Sequence, residues 1–366
     1  MRLSEFGEMR LIERIERSYS GIQHSKKDIA IGDDCAVIRS LLGREILITT
    51  DALIEDIHFS FRFSSPEWIG EKAVYVNLSD IASMGGKPEF ILLTMGLPPE
   101  MKKKTALRLV SGIDSGCRSF GVSLLGGDTC SSPGKVFISI TAVGSMGKGK
   151  AILRSGARPS DILFLSGSVG GSSLGLRLLR KGMEYHSGYW KEREKKEKKE
   201  RGEKGERSRE SYGWDRFYAR RAMNCYLRPR PHIEEGRFLA ETGLATAMID
   251  LSDGLSSDLH NLCRASGVGA VIRESDIPVD ASLTHFLKSW KAILDAALSG
   301  GEDYCLLVAV SEGKADKLER LFQRKFSRPL YRIGEIIPAS RGIGIVSRTG
   351  LLRRLPKTGY EHFKSR

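Results

Sequence analysis

Long apolar runs are missing from this chain. None of its 366 residues belongs to a stretch approaching the ~20 apolar residues that a bilayer-spanning helix needs. The opening Met1-Arg-Leu-Ser-Glu-Phe-Gly-Glu is charged within its first turns and lacks the apolar core of a secretory signal. A cytoplasmic protein is expected. Cys-x-x-Cys pairs are missing too. Six cysteines are scattered, with no histidine at zinc-finger spacing, which argues against a zinc module or a disulfide scaffold. Small buried thiols in a reducing compartment are expected instead. Neither a P-loop nor a dinucleotide fingerprint is present. The nearest approach, Ser166-Gly-Ser-Val-Gly-Gly-Ser172, reads as an ordinary strand–helix turn, with a phosphate-facing helix N-terminus as the alternative.

Charge of one sign is not scarce, but its distribution is uninformative. The formal net charge is +13. Lys191 to Glu210 holds ten Lys/Arg and seven Glu, which leaves +3 there and +10 spread over the remainder. No aromatic RNA-binding motif, helix-turn-helix pattern or finger spacing accompanies that excess, so nucleic-acid binding is unsupported. The 191–210 stretch has too little apolar surface to offset its ordering entropy and is expected to be a surface insertion without catalytic role.

What the chain does have is aspartate, placed next to glycine and hydroxyl residues. Ile31-Gly-Asp-Asp-Cys-Ala36, Thr49-Thr-Asp51, Leu125-Gly-Gly-Asp-Thr129 and Ile249-Asp-Leu-Ser-Asp-Gly254 mostly follow apolar runs, where strands hand over to turns. Asp80, in Asn77-Leu-Ser-Asp80, ends a helical stretch instead. Taken singly, such pairs are turn punctuation. Taken together, they suit a metal–nucleotide site, because magnesium is commonly held by a few carboxylates, phosphate oxygens and water.

Strands alternate with helices along the chain, which predicts an α/β protein of two domains. An amphipathic helix is expected from Leu3 to Tyr19. Ser65-Pro66-Glu67 reads as an N-cap with proline at the first helical position, opening a helix that runs towards Met84. The first unit is predicted over residues 1–150 and the second over 151–366, the latter carrying the charged insertion at about 186–215.

Ten ordered motifs carry a resemblance. They are Gly32-Asp-Asp-Cys-Ala, Thr50-Asp51 with His58-Phe59, Val76-Asn-Leu-Ser-Asp80, Met84-Gly, Gly126-Gly-Asp-Thr129, Arg154-Ser-Gly-Ala157, Leu227-Arg-Pro-Arg-Pro231, Ile249-Asp-Leu-Ser-Asp-Gly254, Ser299-Gly-Gly-Glu-Asp-Tyr304 and Gly359-Tyr-Glu-His-Phe363. The chain resembles the thiamine-monophosphate kinases over nearly its whole length, the insertion apart. The resemblance implies the two-domain fold of the aminoimidazole-ribonucleotide-synthetase-like ATPases, a homodimer whose N-terminal domains join into a β-barrel, and a C-terminal α/β domain beside it. It implies ATP and thiamine phosphate as substrates and several magnesium ions. By motif, Asp34, Thr49, Thr50, Asp51, Asp80, Asp128, Asp250 and Asp253 would hold metal. Gly127, Asp128, Arg154 and Ser252 would contact ATP, and His58, Glu302 and Tyr360 the thiamine substrate. Asp33 is left as a supporting acid.

Elementary chemistry agrees with that assignment. The acceptor is a phosphate monoester with a second pKa near 6, so its attacking oxygen is already ionised and no general base is expected. Two other readings compete. Another ATP-using synthetase or maturation enzyme of the same scaffold would share the acids but lack the His58, Glu302 and Tyr360-Glu-His-Phe pattern; the cysteine-bearing tail expected of the maturation factor is also absent. A non-catalytic protein docking through the basic insertion would not need the acids intact.

Overall fold

The computed structural model describes residues 10, 12–13, 29, 33–39, 43–183 and 207–363. Most of the expected N-terminal helix and of the charged insertion lies outside the described residues. Arg10, Ile12 and Glu13 are helical.

Two mixed sheets organise the chain. The first has the order β1-β2-β5-β3-β4. It comprises β1 (Ala36–Arg39), β2 (Arg44–Ile54), β3 (Lys87–Leu97), β4 (Ser123–Ser131) and β5 (Phe137–Gly147). All neighbours are antiparallel except β3 and β4. One face is covered by α1 (Pro66–Ser83), against which α2 (Lys103–Phe120) packs. Helix α1 starts where Ser65 accepts the Trp68 amide proton at 3.3 Å and Pro66 takes a first-turn position that needs no N–H. Almost its whole circumference is buried. Close approach to α2 depends on Gly70 and Gly112, since a Cβ at Gly112 would lie 2.0 Å from the Glu67 carbonyl oxygen.

The other face of this sheet is open. Leu92 is 43% exposed, Leu124 45% and Leu125 63%, and every residue of β4 is exposed. Strand β1 pairs only with residues 45–48 of β2. Among the described residues no named strand covers the outer edge of β2 from 49 to 54. Among the described residues the five strands form an open sheet, with no strand partner on the outer side of β4 or beside residues 49–54 of β2.

The second sheet has the order β12-β11-β8-β10-β6-β9-β7. Its strands are β6 (Ile162–Leu165), β7 (Ala245–Asp250), β8 (Val268–Arg273), β9 (Leu306–Val310), β10 (Tyr331–Pro338), β11 (Ile343–Val346) and β12 (Leu352–Arg354). Its helices are α3 (Gly171–Arg180), α4 (Arg207–Leu227), α5 (Ile233–Thr242), α6 (Leu255–Ser266), α7 (Ala281–Phe286), α8 (Trp290–Ser299) and α9 (Glu312–Phe326). Side chains alternate across the central strands, as strand geometry dictates. Met248, Leu306 and Val308 join the core built on α1, α5 and α9. Ala247, Ile249, Leu307 and Ala309 join the core under α3, α4, α6 and α8. The first core is continuous between the two sheets. It anchors α1 beside the end of β7, and that junction creates the site described next.

Most predicted elements occur within a few residues of their expected ends. The charged insertion, expected to be disordered over about 186–215, is helical from residue 207, where α4 begins. The Ser166–Ser172 turn is also settled. Its helix-start amides are already engaged, Gly170 donating to Asp303 Oδ2 at 2.6 Å and Ser172 to Oδ1 at 3.4 Å. A carboxylate occupies the place a phosphate would need.

Candidate active site

The last turn of α1, the end of β7 and the segment before β1 each deliver one acid to a common point. One carboxylate oxygen from each of Asp34, Asp80 and Asp250 lies within 4.8 Å of the others. Asp34 is 7% exposed and Asp250 2%. Local hydrogen bonds hold each carboxylate. Thr49 Oγ1 donates to Asp80 Oδ2 at 2.5 Å, and Ser79 Oγ donates to Asp250 Oδ2 at 2.5 Å. Asp51 joins them from β2, its amide donating to Asn77 Oδ1 at 2.8 Å.

Crowding raises the proton affinity of these acids. Burial pushes Asp250 up to about 8, with the Asp34 charge adding to it and the Ser79 hydrogen bond opposing it. Asp80 is driven well above the usual carboxylate range by burial, then by Asp51, Asp250 and Asp34. Asp51 is raised by burial and Asp34. Asp33 rises to about 6 from burial and its neighbour Asp34. Four acids gathered in this way call for a cation.

One cation is already there. Arg154 Nε donates to Asp34 Oδ1 at 2.9 Å and its Nη2 contacts the same oxygen. The Arg154 amide also donates to Asp33 Oδ2 at 3.1 Å. Burial alone would lower the guanidinium, but Asp34 and Asp33 outweigh it and hold it raised. The second oxygen of Asp34 is buried and accepts no hydrogen bond among the described residues. An orphaned carboxylate oxygen beside two more carboxylates is a donor set suited to a hard divalent ion such as Mg²⁺.

The residues expected to bind the thiamine substrate form a second wall. His58 Nδ1 accepts the Ile54 amide proton at 3.0 Å, which places the neutral ring's proton on Nε2. The His58, Tyr360 and His362 rings cluster, with centroids 6.4 Å apart for His58–Tyr360 and 5.2 Å for His58–His362. The C-terminal segment reaches them by crossing α6. Ser256 Oγ donates to the Pro356 carbonyl at 2.7 Å, and the Tyr360 amide donates to the Asp253 carbonyl at 3.0 Å. Glu302, with φ of 65°, donates its amide proton to the Ser252 carbonyl at 2.7 Å. Ser252 and Asp253 are half-buried. The amides of Asp253 and Gly254 both donate to the Asp258 carboxylate, at 3.1 and 3.0 Å.

Two expected ligands point elsewhere within one protomer. Alternation along β2 turns Thr50 away from Thr49, and its hydroxyl donates to the Ile140 carbonyl at 3.1 Å on the sheet's open face. Asp128 shares a row with Thr94, Ser139 and, on β2, Ala52. Three strand spacings separate it from β2, about 14 Å along the sheet. Gly127 precedes it at φ of 153°, where a Cβ would lie 1.7 Å from the Leu93 carbonyl oxygen. Sequence reasoning overlooked Lys72, Asn77, Tyr226 and Asp258, all in contact with site residues. Two of them left a signal: Lys72 as a lone cation in the apolar reach of α1, and Asn77 within the motif Val76-Asn-Leu-Ser-Asp80.

Comparison with known proteins agrees with the geometry. Residues 32–146 match the AIR synthase related protein, N-terminal domain, and residues 158–347 match its C-terminal domain. The chain belongs to the AIR synthase-related proteins. It is 33% identical to the thiamine-monophosphate kinase of Bacillus subtilis, covering 94% of this chain and 96% of that protein. It is 32% identical to that of Haemophilus influenzae, covering 98% of each. A solved structure described as AaThiL complexed with AMPPCP and TMP superposes with a TM-score of 0.76 at 28% identity, covering 99% of both chains. Within that class, this chain is a member of the thiamine-monophosphate kinase family. The hydrogenase maturation protein HypE in complex with ATP, at 17% identity and a TM-score of 0.64, shares the fold.

The raised acids carry a prediction about metal-free protein. A carboxyl whose folded value is raised binds more protons folded than unfolded between its two pKa values, so stability falls as pH rises through that window. Here the window opens near the ordinary value of 3.8 and extends to about 8 for Asp250. The melting temperature in chelator should fall between about pH 6 and pH 8, and the gain on adding Mg²⁺ should grow over the same interval. Scanning calorimetry at both pH values checks this; a Mg²⁺ gain that does not change with pH contradicts it.

Proposed function

We propose that this chain transfers the γ-phosphoryl group of ATP to the phosphate of thiamine phosphate, releasing ADP and thiamine diphosphate. The observation that carries the reading is the group of buried Asp34, with its uncapped oxygen, buried Asp250 and half-buried Asp80, set beside the His58–Tyr360–Glu302 wall. Divalent ions bound there would cancel the repulsion between two polyanions and align the in-line transfer. Asp34, Thr49, Asp51, Asp80 and Asp250 would hold them from one protomer, with Asp253 at the start of α6. Arg154, whose planar fork matches phosphate geometry, would release Asp34 and engage the nucleotide. Ser252 would face the same ligand from the turn before α6. His58 Nε2–H, Glu302 and the Tyr360 ring would receive the thiamine heterocycles, the carboxylate favouring a cationic ring. No general base is required, because the acceptor oxygen is ionised at neutral pH. The direct test is purified protein with Mg²⁺-ATP and thiamine phosphate, followed by identification of the product. Absence of thiamine diphosphate would refute the reading.

The working unit in this reading is a cytoplasmic homodimer, with protomers divided near residue 150. The two edges of the first sheet that lack a strand partner among the described residues, β4 and residues 49–54 of β2, support its closure with a second copy into a barrel. Such closure would bring Asp128 and Gly127 of the partner subunit beside Thr50 and Asp51. That arrangement predicts complementation. Asp51→Asn and Asp128→Asn should each be inactive alone. A refolded equal mixture should recover about a quarter of wild-type turnover, since half the dimers are mixed and each of those has one intact site. No recovery, with mixed dimers demonstrated, would place both acids in the same protomer's site.

A further inference from the structure

Lys72 is a buried lysine that the reaction described above does not use. It lies in the first half of α1 and is 2% exposed. Its Nζ sits 2.8 Å from Glu302 Oε1, 3.2 Å from the His58 carbonyl oxygen and 3.9 Å from the centroid of the Tyr226 ring. The Tyr226 hydroxyl donates to the same His58 carbonyl at 3.0 Å. The adjacent residue Glu71 accepts from Arg228 Nε at 2.7 Å, so α1 grips the end of α4 at two successive positions. One ammonium thus joins three separate pieces of chain: the β2–α1 connection through His58, the loop before β9 through Glu302, and α4 through Tyr226.

Stability alone is a poor reason for such a group. Well-packed apolar side chains commonly replace a buried ion pair at little cost or with a gain. Placement is what an ammonium supplies here. Glu302 stands at a positive φ that an ordinary side chain rarely adopts. With one of its carboxylate oxygens fixed by Lys72, the direction of the other is fixed as well. The same ammonium holds the His58 main chain, while the His58 ring is set by the Ile54 amide. Two of the three proposed contacts to the thiamine moiety, Glu302 and His58, therefore lean on one lysine.

We propose that Lys72 is the positioning residue for the thiamine substrate, orienting Glu302 and His58 together across the domain junction. This rests on the phosphotransfer reading above. The experiment therefore begins with wild-type protein: if it forms no thiamine diphosphate, that reading fails whatever Lys72 does. With turnover established, steady-state kinetics are compared for K72M, K72R, E302Q and K72M/E302Q. K72M should raise KM for thiamine phosphate about tenfold or more while KM for ATP stays within about twofold. K72R, which keeps the charge, should recover part of that loss. The double variant should be no worse than the poorer single variant, because both act through one contact. Equal rises in the two KM values, or effects that multiply in the double variant, overturn the proposal. If K72M leaves Glu302 unpaired and does not fold, the double variant removes both charges and is compared with E302Q. A KM for thiamine phosphate at least as high as that of E302Q, with KM for ATP within about twofold, supports the proposal, and a comparable rise in both KM values overturns it.

Discussion

Replacing Asp80 by Asn is expected to abolish phosphoryl transfer and, in the same protein, to raise thermal stability when divalent cations are withheld. The two effects have one origin. Asp80 shares its pocket with Asp34, Asp51 and Asp250, and burial with these charges drives its proton affinity well above the usual range. Without metal that proximity is a strain on the fold. Asparagine keeps the shape and still accepts the Thr49 hydroxyl proton through Oδ1, while removing one of the repelling charges. Relief should appear as a higher melting temperature in chelator at neutral pH, where the raised acid otherwise costs stability. Turnover should fall at least about a thousandfold, roughly 4 kcal/mol of lost transition-state stabilisation, if Asp80 grips a catalytic ion. Calorimetry in chelator and a coupled ADP assay read both arms. An active variant, or one less stable than wild type without metal, would show that Asp80 plays another part.

Gly127→Ala should be the most damaging single methyl in the molecule, and Gly126→Ala one residue away should be tolerated. At Gly127 an added Cβ would meet the Leu93 carbonyl oxygen at 1.7 Å, with the C and N of the same residue at 2.6 and 2.8 Å. These are backbone atoms of the neighbouring strand and cannot step aside without breaking the β3–β4 pairing. The backbone at φ of 153° adds its own penalty for a side chain. At Gly126 a Cβ would meet nothing within 4 Å. We expect Gly127→Ala to lose about 3 kcal/mol or more, through steric disruption at a special backbone position, together with activity. Gly126→Ala should stay within about 0.5 kcal/mol of wild type, as an unencumbered surface site does. Soluble yield, melting temperature and oligomeric mass of the paired variants decide the matter. Similar behaviour of the two would mean that β4 does not need its present register.

Much of the site could be read from the chain because its chemistry is local. Ser65-Pro66 announced α1, and Asp250 does end β7, but Asp51 and Asp128 lie inside β2 and β4, because both strands continue past the expected handover to a turn. The convergence of Asp34, Asp80 and Asp250 was harder to foresee, since it depends on one core shared between two sheets. Met248 and Leu306 sit in that core with Ala82 and Met84, and this packing holds Asp250 against Ser79. The distance of Asp128 from the other acids was invisible, because strand order is a property of topology and not of spacing. Helix α4 was missed altogether, because its charged opening masked a helix whose described buried face (Ala219, Ala222, Met223) begins about three turns after its start. Asp303, quoted in a motif but given no role there, holds the amides at the start of α3; a carboxylate reaching another segment's amides leaves no periodic trace.

Arg154 is a built-in counter-ion of the acidic cleft. Its guanidinium closes on Asp34, so this corner is already neutralised before any ligand arrives. A divalent ion taken up by Asp34 would compete with that group, and the displaced guanidinium would be free to pair with a phosphate. Cation and phosphate thereby ease each other's entry in equal measure, as reciprocity between coupled equilibria requires. Loading such a cleft is an exchange of partners, not the filling of a hole.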